Sequence, residues 1–200
     1  MKLPYLLLAL IFAVLSSGCS FTVNAAPTPE IMPRLDPSPT PSNSTLPLTC
    51  QLTDLNVYVN EMDGYCFAYP ERFTLGEQPS DKPDVRGPAI GSSAEPVFAT
   101  FSVDVTPAAA DKTLREQADV FLRNFSVVDP ATFTWTEVQL GSEAGLMAEP
   151  VPVQLSWRII FVQHRGQLYR LSYWPVDVPE ARADLDELAQ TTLGSFAFIK

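Results

Sequence analysis

Apolar and polar residues alternate along several stretches of the chain, and this two-residue period is typical of β-strands. In "VFATFSVDV" every second residue from Val97 to Val105 is apolar. "LSWRIIFVQH" and "QLYRLSYW" repeat the pattern on either side of Arg165-Gly166, which predicts a β-hairpin with a two-residue turn. "SFAFI" near the end of the sequence predicts a closing strand.

The stretch "TFTWTEVQL" carries its apolar residues out of phase. Phe133 and Trp135 fall on one face of a strand, whereas Val138 and Leu140 fall on the other. One extra residue in a strand shifts the alternation by one place. The pattern therefore predicts a β-bulge near Glu137.

Two stretches show the 3.6-residue period of an amphipathic α-helix. Thr113 begins the first helix, and Glu116 three residues later completes a capping box. Pro179 fits the first turn of the second helix, and Gly194 fits its end. Hairpins and helices alternate along the chain, which predicts an α+β fold with a mostly antiparallel sheet flanked by helices. The predicted inward stripes are Leu114, Ala118, Phe121 and Phe125 in the first helix, and Ala181, Leu185, Leu188 and Thr192 in the second.

Residues 1–18 predict a signal peptide. Lys2 supplies one positive charge, and an uncharged, mostly apolar run reaches Leu15, as in secretory signals. The following "LSSGC" resembles the lipobox of bacterial lipoproteins, in which the cysteine thiol receives a lipid; Ser16 stands where that motif usually has leucine. Lipidation of Cys19 is the leading interpretation. The alternatives are an ordinary signal with a chance cysteine, or a spanning helix, for which the run falls short of about 20 residues.

Residues 19–47 predict a disordered tether. Proline, serine and threonine dominate this segment, and no apolar period runs through it, a composition typical of extended linkers. Two or more acyl chains on Cys19 would hold the protein firmly on a membrane. Residues 48–200 would then form a globular domain on the extracytoplasmic side, in the periplasm or at the cell surface.

The chain contains three cysteines. If Cys19 carries a lipid, Cys50 and Cys66 are left to pair in an oxidising compartment. A disulfide between them would stabilise the fold by roughly 3 kcal/mol in the chain-entropy interpretation. Two buried free thiols are the alternative.

The segment "GYCFAYPERFTL", from Gly64 to Leu75, resembles the first hairpin of PsbP-like domains, in which a Phe-x-Tyr-Pro strand leads into a short aromatic turn. Further matches follow in order: a strand ending at Pro107, a helix from Thr113, a glycine-containing turn at 141–145 and the "GQLYRLSYW" strand. The resemblance covers about residues 50–200. It implies an α/β/α sandwich that acts by binding a protein partner.

Composition narrows the possible functions. The chain has 23 acidic and 13 basic residues, a net charge of −10, which argues against nucleic-acid binding. His164 is the single histidine, so a multi-histidine metal site is excluded. No nucleophile-elbow pattern accompanies it, and we expect a solvated turn histidine. Asp81 and Asp84 lack the spacing of a calcium loop. We expect no catalytic residue, metal or cofactor.

Two features are candidate contact sites. The polar positions of the predicted hairpin would present one face to a membrane-associated protein partner. Alternatively, a helix covers that face and the arginines pair with acids.

The proline- and glycine-rich stretch 76–96 is predicted to be a long loop. It would act as a lid if the protein were a small-ligand binder or hydrolase. The leading hypothesis is a non-enzymatic binding or assembly-accessory module. The polar hairpin positions are Arg158, His164, Arg170 and Trp174.

Overall fold

The computed structural model describes residues 47–76, 82–88, 90–92, 95–126 and 128–199. The predicted signal peptide, Cys19, Asp81 and nearly all of the tether lie outside these residues, so those interpretations stay predictions. Two α-helices are described, α1 (Leu114–Phe125) and α2 (Arg182–Ser195). The strands are β1 (Asn56–Asn60), β2 (Tyr65–Tyr69), β3 (Thr74–Leu75), β4 (Asp84–Arg86), β5 (Ile90–Ser92), β6 (Glu95–Val97), β7 (Thr100–Pro107), β8 (Thr134–Leu140), β9 (Glu143–Val151), β10 (Trp157–His164), β11 (Gln167–Trp174) and β12 (Ala197–Phe198).

Seven strands form the main sheet, in the order β3-β4-β7-β11-β10-β9-β8. Every neighbouring pair is antiparallel. The hairpin predicted around Arg165 and Gly166 is confirmed, because β10 and β11 pair in register up to His164 and Gln167. A second sheet has the order β1-β2-β12, and β5 pairs with β6. The predicted α+β class with antiparallel sheets is therefore confirmed.

Helix α1 packs on one face of the main sheet, which we call the α1 side. Its predicted capping box is present: the Glu116 amide donates to Thr113 Oγ1 at 3.2 Å, and the Thr113 amide donates to the Glu116 carboxylate at 2.7 Å. These bonds satisfy backbone donors that a helix start otherwise leaves without partners. The buried core on this side consists of Ala118 and Leu122 of the helix together with Phe133, Ala148, Val151, Ile159, Phe161 and Leu168.

The opposite face, the α2 side, packs against α2 and the small sheet. Its core is rich in aromatic rings: Phe67 of β2 meets Phe101 of β7 edge-on, with ring centroids 5.0 Å apart, and Tyr65 stacks on Phe196 at 5.5 Å. All four residues of the predicted inward stripe of α2 are buried. Because buried side chains cover both faces of the central strands, the main sheet separates two cores.

Strand β8 has no bulge near Glu137, so that prediction is wrong. The strand pairs with β9 in unbroken register over its whole length. Both of its faces are covered, because Trp135 packs against the α1-side core and Val138 against the α2-side core. A strand that buries apolar residues on both faces needs no extra residue to explain where its apolar residues fall. The irregularity in the sheet lies instead between Trp157 and Ile159 of β10, opposite β9.

The ends of the second helix also differ from the prediction. Pro179 begins a short 3₁₀ turn, Pro179–Ala181, and α2 starts after it. Gly194 lies inside the last turn of α2 rather than beyond it, and the helix ends at Ser195. The Ser195 hydroxyl accepts a hydrogen bond from the Ala68 amide of β2 at 2.8 Å. This contact between helix and sheet holds the last turn in place.

The stretch 76–96 is not one loop. Within its described residues, β4 joins the main sheet beside β7, and β5 and β6 pair as a short hairpin. The predicted single long loop is therefore corrected. Short runs of proline and glycine concealed three strands too brief for alternation to reveal them.

The predicted disulfide between Cys50 and Cys66 is present, with Cα atoms 6.1 Å apart. Cys66 lies in the middle of β2, where it pairs with Val59 of β1 and Ala197 of β12. The predicted closing strand thus completes the small sheet. The disulfide links β2 to Cys50 near the start of the described chain, and backbone hydrogen bonds link β2 to β12.

Candidate partner-contact surface

The four polar hairpin residues do not share one face of the main sheet. Arg158 lies opposite Tyr173, and Arg170 lies opposite Phe161. Residues directly opposite one another in an antiparallel pair point to the same side. The two-residue turn therefore puts even-numbered residues of β10 on the same face as odd-numbered residues of β11. The prediction that the four polar hairpin residues share one face is wrong. Arg170 and Trp174 lie on the α1 side, and Arg158 and His164 lie on the α2 side.

On the α1 side, four aromatic rings and one guanidinium form a continuous stack that we call the aromatic platform: Phe121, Phe125, Trp157, Arg170 and Trp174. Trp174 stacks on Trp157 with centroids 4.3 Å apart, and Trp157 meets Phe125 at 4.9 Å. The Arg170 guanidinium carbon lies 4.4 Å from the Phe121 ring centroid, a cation–π distance. Both tryptophans are half-buried, so their rings pack against neighbouring rings and also reach the surface.

Arg170 is part of a small charge network at the edge of the aromatic platform. Its guanidinium pairs with Asp104 of β7. The other oxygen of Asp104 lies 2.5 Å from the ammonium of Lys82. Burial lowers the pKa of Arg170, although arginine stays charged in proteins at neutral pH. Two cations and one carboxylate leave a net positive charge at the Phe121 end of the aromatic platform, in a protein that is acidic overall.

Arg158 is held in an ion pair on the α2 side. Its guanidinium donates two hydrogen bonds to Glu149, at 2.7 and 3.0 Å. Burial is the largest single influence on the pKa of Arg158 and lowers it, but the hydrogen bonds to Glu149 together with the charges of Glu149 and Asp186 give a net rise in that pKa. Both hairpin arginines thus pair with acids, as the alternative interpretation in the sequence analysis supposed.

His164 is not the solvated turn histidine that the sequence suggested. Its ring stacks on Phe198 of β12, with centroids 4.1 Å apart and planes 15° from parallel. Nδ1 lies 2.8 Å from a Glu143 carboxylate oxygen. The side chain is 14% exposed. Strand β12 lies over this end of the hairpin, and the sequence alone could not show which sheet that strand would join.

The sequence analysis did not identify Trp157 as a contact residue, because it falls in phase with the apolar residues Ile159 and Phe161 of "LSWRIIFVQH". The length of the turn nevertheless predicts this pair. A two-residue turn fixes the register of the hairpin, and in that register Trp157 lies opposite Trp174 at the end far from the turn. Among the described residues of 76–96, none belongs to the aromatic platform, although Lys82 pairs with Asp104 at its edge. No contact in the described chain supports a lid.

Within the described ranges, no three residues among His, Cys, Asp and Glu are grouped so that they could hold a metal ion. No helix of that part of the chain is long and apolar enough to cross a membrane.

No protein-family model matches the chain, and no curated protein sequence matches it either. Among solved structures, the chain is similar to cyanobacterial PsbP (CyanoP) from Synechocystis sp. PCC 6803, with 18% identity and a TM-score of 0.50. That match covers 74% of this chain and 94% of the cyanobacterial one. A structure from Bacteroides thetaiotaomicron matches with 11% identity and a TM-score of 0.49, over 74% of this chain and 49% of the other. The first match shows that the fold is PsbP-like.

Proposed function

We propose that this protein is a lipid-anchored extracytoplasmic module that binds a membrane-associated protein partner through the aromatic platform and catalyses no reaction. The observation that carries the proposal is the stack that links the two half-buried tryptophans, Trp157 and Trp174, through two phenylalanine rings to the charged Arg170. Tryptophan and arginine dominate the residues whose truncation most weakens protein interfaces.

The geometry of the aromatic platform favours binding for a second reason. An interface side chain that is mobile before binding loses conformational entropy when the partner immobilises it. Trp174 is already fixed against Trp157, and Trp157 against Phe125. The net positive charge left by Arg170, Lys82 and Asp104 would complement an acidic patch on the partner.

The anchor rests on the sequence around Cys19 and on the proline-rich segment after it. A lipid there would confine the domain to the membrane surface, and a tether of some 30 residues would let it reach a partner tens of ångströms away. Confinement raises the effective concentration of the module near a membrane partner. The PsbP-like fold supports the accessory, non-catalytic part of the proposal by analogy only.

The experiment is recovery of crosslinked partners from native membranes that contain the intact protein. Trp174→Ala should reduce recovery of a specific partner roughly tenfold or more, as expected for a central interface tryptophan. Trp135→Ala is the matched control, because Trp135 is also on the α1 side but stacks with Arg115 outside the aromatic platform. Equal recovery with the parent, Trp174→Ala and Trp135→Ala, all folded by circular dichroism, would refute the proposal.

A further inference from the structure

A cleft of about 400 Å³ opens on the side of the domain where β12 crosses the ends of two hairpins. This volume is within the range of small-ligand sites. No residue of the aromatic platform lines it. The turn between β8 and β9 contributes Ser142, the end of β10 contributes His164, and the turn after it contributes Arg165. Phe198, Ile199 and Pro47 supply apolar wall.

Arg165 occupies an unfavourable backbone position. Its φ is +46°, and Gly166 after it has φ +76°, the two positive values of a type I′ turn. Asparagine and glycine are preferred at the first of these positions, and longer side chains rarely adopt the conformation. A residue kept in a disfavoured conformation suggests a role for its side chain.

Arg165 is also not held in an ion pair. Of the eight arginines in the described part of the chain, six form ion pairs, and Arg165 and Arg123 form none with any residue that the structure describes. In a protein with a net charge of −10, a guanidinium at the rim of a cleft is therefore available to an anion from outside.

The remaining walls set the shape of the ligand. The His164 ring lies flat on Phe198 and is held from its far edge by Glu143. Ile199 and Pro47 extend the apolar surface, and the Ser142 hydroxyl adds one donor. A guanidinium and a hydroxyl beside flat apolar walls suit a carboxylate carried on a flat apolar body.

We propose that this cleft binds small aromatic carboxylates, with Arg165 pairing with the carboxylate and the Phe198 side of the cleft contacting the ring. The probe is naphthalene-2-carboxylate, and naphthalene-2-carboxamide is the matched neutral compound. Binding is measured by NMR titration and calorimetry on the full chain carrying Cys19→Ala, so that no detergent competes for the apolar wall.

The expected result is that the carboxylate binds about tenfold more tightly than the amide, the effect of one charge-assisted hydrogen bond. Arg165→Asn should remove that preference while leaving the melting temperature equal or higher, because asparagine suits the turn. Arg123→Asn, which removes the same charge from an exposed position on α1, should bind like the parent.

Three results would overturn the proposal: neither probe binds, both probes bind equally well, or Arg165→Asn binds the carboxylate as tightly as the parent does. A purely structural role for Arg165 predicts a lower melting temperature in Arg165→Asn and no change in the preference between the probes.

Discussion

Two phenols buried in the α2-side core should make the fold sensitive to alkaline pH. Tyr65 and Tyr173 are both about 1% exposed or less. The Thr192 hydroxyl donates to the Leu188 carbonyl at 2.7 Å. The Tyr173 hydroxyl, 2.8 Å from Thr192 Oγ1, must therefore be the donor in that pair. Burial raises the pKa of both tyrosines, because an ionised phenol in this core would lose its hydration.

The sign and size of the effect follow from linkage. In the unfolded chain each tyrosine ionises with a pKa of about 10, whereas the folded state keeps both protonated to a higher pH. The stabilisation is fully present below pH 10 and is lost as pH rises above it. Each phenol then lowers the free energy of unfolding by about 1.4 kcal/mol per pH unit. At pH 11 the two together remove about 2.8 kcal/mol, a large part of a typical domain's stability of roughly 5–15 kcal/mol.

Urea unfolding followed by far-ultraviolet circular dichroism between pH 8 and 11 measures this slope. Tyr173→Phe should lower stability at pH 8 by about 1 kcal/mol, through loss of one hydrogen bond, and should reduce the slope above pH 10 by about 1.4 kcal/mol per pH unit. Phe101→Leu is the matched control: the Phe101 ring centroid lies 4.8 Å from that of Tyr173, and its loss should lower stability equally at every pH.

Absorbance at 295 nm reports tyrosinate directly in the same samples. A stability that does not change between pH 8 and 11 would refute the reasoning. So would a Tyr173→Phe protein whose slope equals that of the parent, since Tyr173 would then ionise as readily folded as unfolded.

Further predictions concern the backbone, the disulfide and the anchor. Gly145→Ala should lower the unfolding free energy by about 1–3 kcal/mol, because a Cβ there would lie 2.9 Å from a backbone oxygen of β10. Gly194 lies within α2 with open space around it, so Gly194→Ala should raise the unfolding free energy by up to about 1 kcal/mol. Urea unfolding measures both changes. Cys66→Ser should lose roughly 3 kcal/mol for a 16-residue separation, and reducing the parent should lose the same amount. Cys19→Ala should abolish fatty-acid labelling and membrane retention; label that survives would exclude that thiol as the lipid site.

Alternation located β7 and β11 because each places an unbroken apolar set on the α2-side core. Strand β10 has apolar residues on both cores, and the two-residue turn that joins it to β11 helped to locate it. Phe101 and Val103 lie on the same face of β7, as their spacing requires. Alternation predicted a bulge in β8 that is absent. Apolar residues lie on both faces of that strand, so their spacing does not indicate an extra residue. Alternation also missed β4, which has three residues, too few for a period to appear.

The candidate surface was harder to predict than the fold. Which hairpin residues share a face depends on the number of residues in the turn, and that number was available in the sequence. How much of the sheet α1 covers was not available. The helix buries Ile159 and Phe161 but leaves Trp157 and Trp174 half-exposed, because it ends at Phe125. The helix length and its position on the sheet emerge only from packing.

The covalent link between Cys50 and Cys66 has a mechanical consequence. Tension applied to the chain on the amino-terminal side of Cys50 passes through the sulfur atoms straight to the middle of β2. Residues 51–65, which include all of β1, therefore bear no load and cannot be peeled away one hydrogen bond at a time. Strand β2 is supported by β1, β12 and α2, so a pull from that side must shear several elements together. A domain built in this way resists being dragged by its amino-terminal segment.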